Sequence, residues 1–284
     1  MKTEALFYEK RKDKIHCYLC PHHCIIEKGQ FGKCRVRTHE NDQLFTINYG
    51  EITSISLDPI EKKPLHYFRS GTQILSVGSF GCNFTCDFCQ NYSVSQYKAK
   101  SDFVPKENLV ETIITTKENT GIAFTYNEPS IWYEYVYDCA KLLKETDPSK
   151  AVVIVSNGYI SEAPLKKLLP YVDAMNIDLK SFNAKYYKRL CGGSLNPVLK
   201  TIEIAAKACH VEVTTLLVSG ENDTLEEVGE IAKFLNSVSY EIPLHLSRYF
   251  PRYKLENPPT DLVFMKQAED AARKYLSKVS LGNI

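Results

Sequence analysis

From residue 73 onward, short, mostly apolar runs alternate with longer amphipathic stretches. The runs at 73–78, 121–126, 151–156, 173–178, 211–218 and 241–246 have the length and composition of strands. Between or after them, stretches near 105–119, 129–145, 161–169, 183–190 with 197–208, 224–237 and 261–277 repeat apolar residues at helical spacing. Strand followed by helix, six times over, predicts an α/β fold with a parallel sheet covered by helices. An open doubly wound sheet and a partial barrel of six units both satisfy this pattern. In either, chemistry belongs at the C-terminal ends of the strands.

Residues 1–72 do not follow that rhythm and read as an N-terminal, cysteine-rich extension with small strands, ahead of the repeating region at 73–284. Alternation at 43–49 and 51–57 predicts two strands joined by a turn at Gly50. Pro59 and Pro64 make 57–71 an extended connector rather than a helix.

With 284 residues, 44% of them hydrophobic, the chain can bury one large core or two small ones. A net charge of +1 gives no general attraction for nucleic acid or a membrane surface. No apolar run approaches the roughly 18 residues of a membrane helix. The first twenty residues are charged and lack an apolar signal region, so a cytoplasmic protein is expected. Ten cysteines would suggest disulfides in a small secreted chain. Here seven of them fall in two tight groups, which points to metal.

The second group, Cys82, Cys86 and Cys89, follows the apolar run 73–78 on a stretch that contains Gly78 and Gly81. Ten cysteines placed at random in this chain would give offsets of four and three about 0.01 times. Three close thiolates on a loop can hold three corners of a cubane iron–sulfur cluster and leave the fourth iron open. A structural zinc would ask for four ligands. The plain alternative is one face of a buried helix, against which the two glycines argue. The first group is Cys17, Cys20, Cys24 and Cys34, with Gly29 and Gly32 between. Its CxxC spacing reads as a knuckle-like metal site, for zinc or a second iron–sulfur cluster, in a segment with little core of its own; unligated thiols are the plain alternative. With four thiols at hand, His22 and His23 are expected to be ordinary surface histidines.

Polar residues recur where strands should end. Asn127 and Glu128 precede Pro129, at a helix start, where an acid also serves as a cap. Ser156, Asn157 and Gly158 close the third run, either as a turn or as ligand contacts. Asp178 and Lys180 share one face of the fourth strand, as a salt bridge or around a ligand. Cys191 is reactive or simply buried. His245 stands in the sixth run, and Arg248, Tyr249, Arg252 and Tyr253 after it suggest an aromatic and basic rim.

The spacing of Cys82, Cys86 and Cys89, with Phe88 before the last, resembles the radical S-adenosylmethionine (radical SAM) signature. The resemblance implies a (β/α)6 partial TIM barrel and a 4Fe–4S cluster on those three cysteines, with SAM on the open iron. It also implies reductive cleavage of SAM to a 5′-deoxyadenosyl radical that abstracts hydrogen. Glu128 and Pro129 are similar to the end of the family's Gly-Gly-Glu-Pro motif, with Tyr126 and Asn127 in place of the glycines. By that likeness Glu128 would meet the methionine amine, with Asn127 beside it. Ser156, Asn157, Asp178, Lys180 and His245 would lie along the rest of SAM. Residues 57–68 and the N-terminal cysteines resemble the radical SAM member of the AmmeMemoRadiSam group, kin of the pyruvate formate-lyase activating enzymes. This implies a flavodoxin- or ferredoxin-type electron donor and a peptide or protein substrate. A small-molecule substrate and a non-enzymatic iron–sulfur or zinc protein are the other readings.

Overall fold

The computed structural model describes residues 2–284. Its main sheet has eight strands in sequence order. They are β1 (Ser54–Pro59), β2 (Gln73–Gly78), β3 (Asn119–Phe124), β4 (Ala151–Ser156), β5 (Ala174–Asp178), β6 (His210–Leu217), β7 (Leu244–Arg248) and β8 (Val279–Gly282). β1 runs antiparallel to β2, and every later neighbour pair is parallel. Helices α1 (Lys106–Thr115), α2 (Tyr133–Thr146), α3 (Glu162–Leu168), α4 (Leu195–Ala205), α5 (Leu225–Val238) and α6 (Leu262–Ala272) fill the connections after β2 to β7. This is the expected partial barrel of six β/α units, closed off by one more strand at each edge.

Central strands are buried on both faces, as helix-covered parallel strands must be. Ile122, Ala123 and Phe124 of β3 and Val152 and Val153 of β4 are wholly inaccessible. The strands approach closely at Gly121, where an added Cβ would stand 2.0 Å from the Ala151 carbonyl oxygen. Helices start on side-chain caps. Thr224 accepts from Glu227 N at 3.2 Å and Asp261 from Phe264 N at 2.9 Å.

The segment from 60 to 68 does more than connect. Ile60 and Leu65 pack with Ile74, Ala123, Val153 and Ala174, filling the inner face of the sheet. Asn176 Nδ2 donates to Pro64 O at 2.8 Å, and Glu212 accepts from the amides of His66 and Tyr67 at 3.0 and 2.8 Å. These contacts replace the missing strands of a full barrel as its interior filling.

The N-terminal pairing differs from the sequence expectation. Gln43–Thr46 pairs antiparallel with Arg37–Glu40, not with 51–57. The turn is Asn41-Asp42, both in the left-handed region (φ +48° and +62°), which suits a two-residue hairpin. Beyond Gly50 the chain divides. Glu51–Ile52 pairs with Asp102–Phe103, while β1 joins the main sheet. β8 was not foreseen. Expected helices also shrink: 183–190 yields one turn, Ala184–Tyr186, and then a π-helical turn, Tyr187–Cys191.

Candidate functional site

Cys82, Cys86 and Cys89 lie on the loop after β2 and line a cavity of about 270 Å³ at the C-terminal ends of the strands. Phe88, Asn127, Glu128, Ser156, Asn157, Asp178 and Lys180 line the same cavity. Strands β2 to β5 thus each deliver sequence-selected residues to one place.

The loop is braced from both ends. Asn127 Oδ1 accepts from Ser79 N at 3.0 Å, and its Nδ2 donates to Phe80 O and Gly81 O at 3.3 and 3.2 Å. Its bonds go to the loop backbone, so its observed work is to shape the loop. The π-helical turn supports the other end: Thr85 N donates to Cys191 O at 2.9 Å and Asp87 N to Leu190 O at 3.1 Å. Tyr126, at the end of β3, holds a left-handed φ of +70°, unusual for a bulky residue, and its carbonyl accepts from Asn91 Nδ2 at 2.7 Å.

Donors point at the cysteine sulfurs. Phe84 N lies 3.3 Å and Asn157 Nδ2 3.7 Å from Cys82 Sγ, and Ser95 Oγ lies 3.2 Å from Cys89 Sγ. A hydrogen bond with the Cys191 thiol, followed by burial, holds the Cys86 thiol well above its usual range. Burial likewise holds Cys82 well above its usual range and raises Cys89. Thiols held neutral this way ionise against a cation, and donors to sulfur suit metal-bound thiolate. With room for far more than one ion, the donor set fits a three-thiolate cluster.

Glu128 is buried, which raises its pKa, while three donors pull it back. Oε1 accepts from Ser156 Oγ at 2.7 Å and Ser130 N at 2.9 Å, and Oε2 accepts from Asn157 N at 2.8 Å. It is therefore a cap of the short turn Pro129–Ile131 and a cavity-facing acid at once. Lys180 Nζ donates to Asp178 Oδ2 at 3.0 Å and stands 5.9 Å from the Phe88 ring centroid. Burial alone would lower the Lys180 pKa, but the neighbouring Asp178 carboxylate, together with Cys86 and Cys191, raises it well above the usual.

His245 falls elsewhere. It lines an adjoining cavity of about 580 Å³ with Asp58, Lys63, His66 and Tyr126. Its Nε2 lies 2.6 Å from Glu212 Oε2, and its ring centroid 4.6 Å from that of His66. Tyr126, Thr214, Ser247 and Asn283 line both cavities. The expected rim is partly dismantled: Tyr249 is buried with its hydroxyl on Leu255 O, and Tyr253 stacks on Tyr92.

The four N-terminal cysteines surround a third, very small cavity of about 10 Å³, with Leu19, Ile26 and Ile131. Burial pushes the Cys20 thiol up to about 12 and the Cys34 thiol to about 11. Among the described residues, no three Cys, His, Asp or Glu side chains already stand in a complete ligand geometry, the three loop cysteines included. His22 is not the surface histidine expected: its Nε2 lies 2.7 Å from Asn83 O.

Sequence reasoning missed Asn83, Ser95 and Thr125 of the cluster cavity and its surroundings. They are small polar residues in loops or, for Ser95, at the end of the one-turn helix Tyr92–Ser95, and only their position in space distinguishes them. Cys191 was visible but its contact with Cys86 was not, because a π-helical turn leaves no periodic trace.

The model of the radical SAM superfamily matches residues 76–235, which include the three loop cysteines, Glu128, Asn157 and Lys180. An uncharacterized protein of Methanocaldococcus jannaschii is 42% identical over 99% of this chain and 85% of its own length. The pyruvate formate-lyase-activating enzyme of Clostridium pasteurianum is 24% identical, covering 70% of this chain and 88% of its own. The crystal structure of Streptococcus suis SuiB bound to precursor peptide SuiA shares the fold at a TM-score of 0.59 and 14% identity, over 78% of this chain and 51% of that one. With its barrel, its three-cysteine loop and more than half its length within the family model, the chain belongs to the radical SAM superfamily and is similar to its activating enzymes.

Proposed function

We propose that this protein is a radical SAM enzyme that binds a 4Fe–4S cluster on Cys82, Cys86 and Cys89 and takes a hydrogen atom from a peptide or protein. The observation that carries the reading is the convergence of the three thiols with Glu128, Asn157, Asp178 and Lys180 on one cavity. When bound, such a cluster supplies an electron to SAM and so a 5′-deoxyadenosyl radical. The chain's residues bind and orient. Glu128 keeps acceptor capacity on Oε2 for the SAM ammonium, and Ser156 and Asn157 hold that carboxylate in place. Lys180, charged through its pairing with Asp178, would meet the SAM carboxylate, and Asp178 would meet the ribose. Phe88 and Phe84 keep water from the cavity wall. His245 serves SAM less directly than Lys180, from the adjoining chamber.

Support for a macromolecular substrate comes from proteins this chain resembles. The clostridial relative is an activating enzyme of another protein, and the fold neighbour is bound to a precursor peptide. The 580 Å³ chamber next to the cluster cavity favours a second reading, a small-molecule substrate within the AmmeMemoRadiSam group. We also propose a flavodoxin- or ferredoxin-type electron donor, and a separate metal, zinc or a second iron–sulfur cluster, on Cys17, Cys20, Cys24 and Cys34. Among the described residues no helix is long and apolar enough to cross a membrane.

Anaerobic reconstitution with iron and sulfide tests the cluster. The wild-type protein is expected to absorb broadly at about 400 nm, and Cys86→Ala to lose the band. A variant that keeps the band and its iron would overturn the assignment. A glycyl-radical signal in a partner protein would separate the macromolecular reading from the small-molecule one.

A further inference from the structure

Two segments far apart in sequence meet behind the cluster loop. His22, between Cys20 and Cys24, places Nε2 2.7 Å from Asn83 O. Arg35, next to Cys34, donates from Nη2 to Cys82 O at 3.3 Å and to Ser95 O at 2.8 Å. Gly81, at φ +89°, packs so tightly there that an added Cβ would stand 2.6 Å from Val36 Cγ1 and 2.9 Å from Cys34 O. The barrel holds this loop from inside through Asn127 and Asn157. The residues beside Cys20, Cys24 and Cys34 hold it from outside.

Those outer residues have little regular structure to fix them. Between Cys17 and Cys34 the strand pairing is short: Ile25–Ile26 with Ile15 and His16, and two isolated bridges, Lys28 with His39 and Phe31 with Thr38. His23 and Arg35 both sit in the left-handed region, at φ +46° and +65°, which costs energy in side chains of their size. Such a segment needs an anchor. The four thiols surround a cavity of about 10 Å³, enclosed by Leu19, Ile26 and Ile131. That is the space of about one water-sized sphere. It suits a single ion better than a cubane. Four cysteines with no open position are the donor set of a structural zinc, and the thiols, which do not already stand in ligand geometry, would close onto the ion as they lose their protons. Arg37, buried, aims Nη1 at Cys17 Sγ from 3.7 Å, as a donor that supports a metal-bound thiolate.

We infer that Cys17, Cys20, Cys24 and Cys34 bind one zinc ion, and that this zinc fixes His22 and Arg35 on the Asn83 and Cys82 carbonyls and so clamps the cluster loop. The site deepens the proposed function by giving its N-terminal metal an identity and a role. The zinc itself does not depend on any cluster being present.

The test uses the full chain in two arms that need no iron. In the first, metals are counted in the Cys82→Ala/Cys86→Ala/Cys89→Ala variant, purified without oxygen. One zinc per chain is expected, falling severalfold in that variant with Cys20→Ser added. No zinc, or iron with sulfide on the N-terminal cysteines, overturns the inference. In the second, amide hydrogen exchange is followed over residues 79–86 of iron-free, zinc-loaded protein. His22→Ala, keeping its zinc, should exchange there about fivefold faster, the effect of one lost hydrogen bond, and Arg35→Ala, which also keeps its zinc and loses its bonds to Cys82 O and Ser95 O, at least as fast. Wild-type exchange rates in both variants overturn the clamp. A wild-type protein that takes up zinc but no cluster would sink the proposed function and leave both arms readable.

Discussion

The backbone amide of Asn157 donates to Glu128 Oε2 at 2.8 Å, tying the end of β4 to the end of β3. Ser156 Oγ and Ser130 N complete the set on Oε1. Glu128→Ala would leave three buried donors unpaired, at a cost of roughly 3 kcal/mol of stability, and would remove the partner of the SAM ammonium. Urea unfolding should show the loss, and calorimetry should show SAM binding abolished. An Ala variant as stable as wild type and still binding SAM would contradict both roles.

Glu212 lies inside the barrel in β6 and takes four hydrogen bonds, from the rings of His210 and His245 and the amides of Tyr67 and His66. Burial alone would raise its pKa, but these bonds bring it down to about 2 from an ordinary 4.5. A lowered carboxyl stabilises the fold fully above the unfolded value and loses that contribution as pH falls through the folded one. Roughly 3 kcal/mol should therefore disappear between about pH 4.5 and 2. Glu212→Gln should be less stable at neutral pH and flatter over that window in acid titration of denaturant midpoints. A wild-type acid limb in the variant would contradict the account.

Arg37 and Glu134 form an ion pair buried where the N-terminal extension meets α2. Arg37 Nη1 also donates to Leu6 O at 2.7 Å. Removing one partner strands the other charge, so Glu134→Ala should cost about 3–5 kcal/mol, measured by denaturant unfolding. Replacing both by apolar residues of like volume should restore much of that loss. A single variant within about 1 kcal/mol of wild type would contradict the burial argument.

The barrel was legible because apolar strand and amphipathic helix alternate with separate periods, and because polar residues gather where strands end. That is why Glu128, Asn157, Asp178 and Lys180 could be chosen before any coordinates. Pairing partners were less legible. Residues 43–46 alternate equally well for either neighbour, and the Asn41-Asp42 turn decided the matter. Four-residue β8 carries too little pattern to separate from a tail. Side-chain direction was not legible at all. Asn127 turned to the loop backbone, His245 to Glu212, and His22 to the cluster loop.

The most direct test of the central claim is a product assay under anaerobic conditions. Reconstituted protein is incubated with SAM and dithionite, and 5′-deoxyadenosine is quantified by chromatography. The wild-type protein should form it with turnover time, and Cys86→Ala should form none above the protein-free control. Equal amounts from both proteins, or none from a wild-type protein carrying its full iron, would contradict the account.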